Sequence, residues 1–443
     1  QRLHGSRQGG VWPCTSTTLS RYDADSRVHQ IGKLPTDRPN VTPTVLYEDR
    51  SGALWIGTRN GGLFRYDGIS IKSVPSSHHE ISCLREDREG NLWVGTRGGG
   101  LNRLRPTVAE VMDLASGVPG EAIRSLCQDS GGTLWAVSQL GRVIRRDHLG
   151  WRPLGQAEHW SEDYAQCICA APEGGVWIGT QYRGLHLWRD GYVVSNFFIS
   201  GGLAGNYVNA LLPVPNGDLW VGTESINTLR HFVQRRTKGE WKTFELPANS
   251  GNVAALVADA KGQIWASTSA GLLLRFDENN FVEATPKSQS GQQTMRCLAA
   301  TSDGSIWIGY AGYGVGRLRD GKFWRFGQAE GLPEDYVSQI IPDSLGRLWF
   351  AGNRGIYFIK QSEFDDLASG RNSILRAVTF GRNESLPGTQ ASYGFWPGAM
   401  SGTNGKLWIP MQSGLMVVDA PGLRENPIPP PVIIESAKVD GQP

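Results

Sequence analysis

Residues 53–58 read ALWIGT, and residues 62–67 read GLFRYD. This pair decides the fold because it keeps returning. The first phrase recurs as GVWPCT (10–15), NLWVGT (91–96), TLWAVS (133–138), GVWIGT (175–180) and DLWVGT (218–223), then as QIWAST (263–268), SIWIGY (305–310), RLWFAG (347–352) and KLWIPM (406–411). Successive tryptophans of the ten copies are 43, 38, 42, 42, 43, 45, 42, 42 and 59 residues apart. A period near 42 is the length of one four-stranded propeller blade.

One period resolves into strand-sized pieces. Residues 336–341 (YVSQII) alternate into an apolar run and read as strand A. The DSLG turn at 343–346 follows, with Asp343 suited to bond its own backbone and Gly346 to a positive φ. Residues 348–351 are strand B, 353–355 a second turn, and 356–359 strand C; strand D is clearest at 322–326 (KFWRF). Strand B is apolar at successive positions, so its sheet must be buried on both faces. Stacked antiparallel sheets around an axis meet that demand and remove open edges. The expectation is an all-β protein, a β-propeller of ten four-stranded antiparallel blades. The repeat tryptophans should pack between blades, and the glycine after each should leave room where sheets converge.

Ten periods admit two arrangements. One is a single wide ring. The other is a seven-bladed ring from about residue 116 to about 434, preceded by three blades of an incomplete ring. The single ring is preferred, because three orphan blades would expose large apolar faces. The repeats should span 1–424, with residues 425–443 a Pro-rich linker and the first strand of a truncated module. Residues 364–367 (FDDL), in the long gap before Trp408, read as a short helical insertion.

Composition narrows the function. Lys and Arg number 44 against 42 Asp and Glu, which argues against a general nucleic-acid binder. No apolar run is long enough to span a bilayer, so no membrane contact is expected within this chain. Five of the six cysteines fall eight or ten residues before a repeat tryptophan and read as small buried hydrophobes. None of the eight histidines forms a metal-binding spacing, and the His78–His79 pair is a poor chelator. There is no GxSxG elbow and no phosphate loop. Neither catalytic residues, nor a metal, nor a cofactor is expected.

Strand order places the B–C and D–A loops on one face and the A–B and C–D turns on the other. The A–B turns are monotonous, whereas the first face changes from blade to blade. Its candidate ligand-binding residues are Arg59, Asn60, Arg97, Gln181, Tyr182, Arg183, Tyr207, Glu224, Tyr310, Tyr313, Asp335, Tyr336, Arg354, Tyr393 and Trp396. Variable loops on a repeated scaffold commonly form binding surfaces. Aromatic plates beside Arg, Asn, Gln and carboxylates suit a polar, ring-shaped ligand.

The phrase D-x-x-G-x-L-W-I-G-T with G-L-x-R-Y-D, as at 49–58 with 62–67 and again from 87 to 105, resembles the repeat of the two-component regulator propeller family. The lead-ins at 202–210 and 331–340 fit it as well, and the tail at 430–441 is similar to the opening of an immunoglobulin-like three-tyrosine module. The resemblance implies a periplasmic sensor region of a membrane-anchored signalling protein, many relatives of which sense carbohydrates. It also implies a possible homodimer through the C-terminal module. The chain departs from the pattern in having ten repeats, in its truncated last module and in lacking a transmitter. Related repeats occur in a streptogramin-inactivating lyase, but no catalytic His/Glu set carries over.

Overall fold

A computed structural model describes residues 2–423, apart from 8, 26, 89, 106–107, 148–149, 156–159, 161–162, 287–292 and 381–389. The linker and module strand expected at 425–443 lie outside the described residues, as do His148, His159 and Gln292. Ten antiparallel sheets form, nine of four strands and one of three. The chain divides into two compact units, one holding Gln1–Thr107 and the other Val108–Leu423.

The second unit is a closed ring of seven blades. Blade I spans 123–153, II 165–197, III 207–245, IV 253–283, V 295–326 and VI 337–380, each in the order A-B-C-D. The A strands adjoin their neighbours from blade to blade and line the axis. Blade VII takes strands A, B and C from Met400–Ser401, Leu407–Met411 and Gly414–Val418. Its outer strand is Ala109–Met112, with Ala109 opposite Val418 and Met112 opposite Leu415. The ring is therefore closed by a strand from its own beginning.

This corrects the single ring of ten; the ring has seven blades. Spacing of tryptophans, all on B strands, carries no record of where an outer strand is exchanged. In the other unit, Arg2–Gly5 begins a first sheet, Thr42–Glu48 a second, and Ile81–Glu86 a third of only three strands. The exposure foreseen for orphan blades is real: Leu3 is 65% and Leu101 63% exposed. The same openness leaves Cys83 exposed, against expectation, while the other five cysteines are buried. Burial pushes the Cys297 thiol up to about 12.

Side-chain chemistry explains the repeat phrase. In blade I, Asp129 Oδ1 accepts from the amides of Gly131 and Thr133 at 3.0 and 2.9 Å, and its Oδ2 accepts from Trp135 Nε1 at 2.8 Å. One carboxylate thus closes the A–B turn and fixes the indole six residues later. The same bond joins Asp49 to Trp55, Asp87 to Trp93, Asp259 to Trp265 and Asp343 to Trp349. The strand C arginine lies across the indole, Arg145 opposite Trp135 with its guanidinium 5.9 Å from a ring centroid. The glycine two after the tryptophan is steric: a Cβ on Gly179 would sit 2.5 Å from Val208 of the next blade and 2.6 Å from Cys167 Sγ. The helical insertion is present as Gln361–Ala368, and its buried Phe364 packs edge-on against Trp307 of blade V at 4.8 Å.

Candidate functional site

The two faces of the ring differ in what their polar groups are doing. On the A–B and C–D face the carboxylates are engaged. Asp218 pairs with Arg235 at 2.6 Å, Asp303 with Arg317 at 2.8 Å and Asp343 with Arg347 at 2.6 Å. Burial opposes ionisation of Asp303, but hydrogen bonds from Thr301, Ser305 and Arg317 outweigh it and hold the carboxyl down to about 2. A cavity of about 1830 Å³ opens on this face around blade IV, between Pro215, Asp259, Asp277 and Asp320. Blade IV has an outer strand of three residues, against six in blade III and five in blade V, which leaves the cleft unfilled. Its volume is a packing consequence, and scaffold turns line it, so it does not mark the functional site.

On the opposite face the D–A segment of blade VII enters the axis. The Trp396 backbone bonds the inner strand of blade III twice: its amide donates to Asn209 O at 3.0 Å, and its carbonyl accepts from Leu211 N at 3.0 Å. Pro397 O accepts from Ser125 Oγ of blade I at 2.7 Å. Gln339 of blade VI clips both legs, donating to Ser392 O at 2.7 Å and accepting from Ala399 N at 3.0 Å. Only a segment inside the ring can reach the inner strands of blades I, III and VI together. Residues 391–399 are therefore an axial loop.

Around this loop stand residues that share one position in each blade. The A strands of blades I to VI each carry a β-bulge, and the extra residues are Arg124, Gln166, Asn209, Ala254, Arg296 and Ser338. A bulge re-aims a side chain and is common beside functional sites. Arg124 donates to Gln166 at 2.6 Å and lies 4.6 Å from the Phe395 ring and 5.8 Å from Tyr164. Arg296 donates to Ser338 Oγ at 3.1 Å and lies 3.9 Å from the Tyr393 ring and 5.2 Å from Tyr336. Sequence reasoning missed these bulge residues and Phe395. A signal existed: each bulge residue lies eleven positions before the blade's tryptophan, a variable and mostly polar site in an apolar strand.

The expected site residues sort into groups. Tyr336, Tyr393 and Trp396 belong to the axial cluster. Tyr207 pairs with Glu224 across strands A and B of blade III. Its phenol is raised by burial and by Glu224, against a lowering from Arg124, so it shares that neighbourhood. Tyr313 is covered by Arg325 at 4.3 Å. Gln181 and Tyr182 bond each other at 2.8 Å, and Arg183 pairs with Asp163 at 3.6 Å on the rim of blade II.

Six expected residues have other engagements, and of these the burial of Tyr310 is a correction. Tyr310 is fully buried, edge-on to Tyr313 at 5.4 Å, because its ring faces the core. Asp335 caps the Gln328 amide at 2.9 Å, a local structural task. Arg354 is held through its backbone, whose amide donates to the buried Glu334 at 2.9 Å. Arg59, Asn60 and Arg97 lie in the three-sheet unit and belong to a separate cluster, where Glu80 neutralises Arg59 at 3.6 Å and Arg97 at 3.3 Å. His78 and His79 stack at 4.2 Å, and no group of three potential metal ligands occurs among the described residues. No helix among the described residues is long and apolar enough to cross a membrane.

The fold and its repeat chemistry define a β-propeller repeat protein. The family model described as two component regulator propeller matches four of its repeats, at residues 37–60, 75–98, 202–225 and 331–354. Among solved structures, it is similar to the extracellular domain of BT3049 of B. thetaiotaomicron, assigned as a hybrid two component system. The TM-score is 0.64 at 19% identity, over 95% of this chain and 56% of that one. It is also similar to the corresponding domain of BT4673 from the same organism, with a TM-score of 0.52 at 16% identity, over 96% of this chain and 59% of that one. The chain thus spans a little over half the length of either solved extracellular domain. A streptogramin B lyase matches with a TM-score of 0.53 at 13% identity, over 70% of this chain and 97% of the lyase. Likeness at these identities concerns the fold. No curated protein matches the sequence.

Proposed function

We propose that the chain is the ligand-sensing, extracytoplasmic part of a bacterial signalling protein. It binds a carbohydrate or another polar small molecule on the ring face formed by the B–C and D–A loops. One observation carries this reading. At the axis of that face, aromatic side chains and polar bulge residues from several blades converge on the loop 391–399, whereas carboxylates of the opposite face are spent on the scaffold. Aromatic faces cover the apolar side of a sugar, and planar polar groups bond its hydroxyls. The repeat match and the fold likeness to extracellular domains of two-component systems support a sensor. Calorimetric titration with a broad panel of glycan fragments tests it. Binding that weakens at least tenfold in Tyr336→Ala or Tyr393→Ala is expected; no binding across the panel removes the carbohydrate reading.

The lyase-like fold favours a second reading, an enzyme that cleaves its ligand. His186 of blade II has its pKa lowered by burial, against raising contributions from Asn196 and Asp163, and it is almost wholly covered. We propose binding without turnover. Incubation with the same glycans should leave them intact, and new reducing ends would overturn that. A homodimer formed through residues 425–443 is a further proposal; light scattering of the whole chain checks it, and a monomer removes it.

A further inference from the structure

We infer that Arg296 recognises an acidic group of the ligand, a carboxylate, sulfate or phosphate ester on a small polar molecule, and that this group enters when Tyr393 lifts off the guanidinium. The inference rests on the axial-loop face being the ligand face.

Three arginines among the described residues are nine-tenths or more buried: Arg296 at 9% exposure, Arg317 at 1% and Arg347 at 4%. Arg317 is neutralised by Asp303 and Asp365, both at 2.8 Å, and Arg347 by Asp343 at 2.6 Å. Arg296 forms no ion pair among the described residues. The carboxylates nearest along the chain to its neighbour Tyr336 are occupied, Glu334 by the amides of Asn353 and Arg354 and Asp335 by that of Gln328. Its Nη1 bonds Ser338, but its Nε has no partner among the described residues. The faces of Tyr393 and Tyr336 attract the cation without accepting its N–H groups.

A guanidinium edge with an open donor presents the fork that pairs with two oxygens of an oxyanion. Two further polar atoms, one on a bulge residue and one in the axial loop, are also unmet. Asn209 Oδ1 and Ser392 Oγ are buried and lack partners among the described residues. Asn209 holds the same bulge position as Arg296, and Ser392 precedes Tyr393 in the axial loop. An acceptor and a hydroxyl left open on the same axial face as a cation suit an acidic sugar better than a bare ion. The cover is also the most exposed residue of the loop. Tyr393 is 42% exposed, whereas the Trp396 backbone is tied to blade III by two hydrogen bonds. Arg124 repeats the arrangement in half-exposed form under Phe395, likewise without a carboxylate.

Thermal unfolding of the whole chain tests the inference. The probes are galacturonate, galactose 6-sulfate, galactose 6-phosphate and galactose, with sodium chloride matching ionic strength. At least one acidic sugar should raise the melting temperature by several degrees beyond both galactose and salt; the responding arm identifies the oxyanion. Arg296→Gln should abolish that rise, and Arg296→Lys, which keeps the charge without the fork, should retain part of it. Circular dichroism confirms that each variant folds. An equal rise in Arg296→Gln overturns the inference. So does a panel in which galactose does as well as its acidic forms; that result leaves the ligand face standing. A panel with no response overturns the inference, and neutral-glycan calorimetry then judges the face by itself.

Discussion

The two faces of the ring use the same residue types to opposite ends. On the A–B and C–D face, buried arginine meets carboxylate, as in Arg317 between Asp303 and Asp365 and Arg347 beside Asp343. On the axial-loop face, Arg296 and Arg124 meet aromatic rings and amides, and no carboxylate among the described residues. Satisfied charge holds a structure; unsatisfied charge is costly to bury and persists where something else completes it. The contrast separates scaffold from site more sharply than cavity size, which points to the scaffold face.

The comparison can be broken at several points. The largest expected effect is Arg317→Gln, which removes the buried partner of Asp303 and Asp365, leaves them only the half-exposed Arg319, and should cost about 3 kcal/mol in urea unfolding. Gly179→Ala follows. Its Cβ would meet Val208 and Cys167 at 2.5 and 2.6 Å, and overpacking of this kind costs about 2 kcal/mol in the same measurement. Asp129→Ala leaves two turn amides and the Trp135 indole without their acceptor, so a loss of about 1–2 kcal/mol should appear, with a shift in tryptophan fluorescence.

The smallest effect sharpens the contrast through pH. Asp303 lies at about 2 and Asp343 is lowered, burial being outweighed by hydrogen bonds from Trp349, Arg347 and Leu345. A carboxyl depressed in the folded state contributes stability above its unfolded value of about 4. That contribution is lost as pH falls through the folded value. Melting temperature should therefore drop between pH about 4 and about 2, and Asp303→Asn should flatten the drop. An unchanged slope in that variant would show that the turn-face carboxylates do not carry the acid sensitivity.

The fold was largely legible in the sequence. Strand B at 347–352, strand C at 356–360 and the helix at 361–368 all emerge from apolar runs and turn residues. Eight of the ten repeat tryptophans are buried core residues, as where Leu54, Trp55 and Ile56 are buried in succession, while Trp93 and Trp265 are half-buried. Ring closure was not legible. Ala109–Met112 looks like any outer strand, and pairing across some 300 residues leaves no local mark. The site was half legible. Tyr336, Tyr393 and Trp396 stood out as loop aromatics. Arg296 and Asn209 did not, because a bulge turns a strand residue toward the axis without changing the apolar pattern around it. Asp335 caps the Gln328 amide and Arg354 has its own amide capped by Glu334, because exposed loops also need their amides satisfied.

The central claim is that buried arginine on the turn face is structural and buried arginine at the axis is reserved for a ligand. Urea unfolding of Arg296→Gln beside Arg317→Gln, with no ligand present, tests it most directly. Removing an unpaired buried cation should leave stability within about 1 kcal/mol of the parent, against the loss of about 3 kcal/mol at Arg317. A comparable loss in both variants would contradict the account and make Arg296 part of the scaffold.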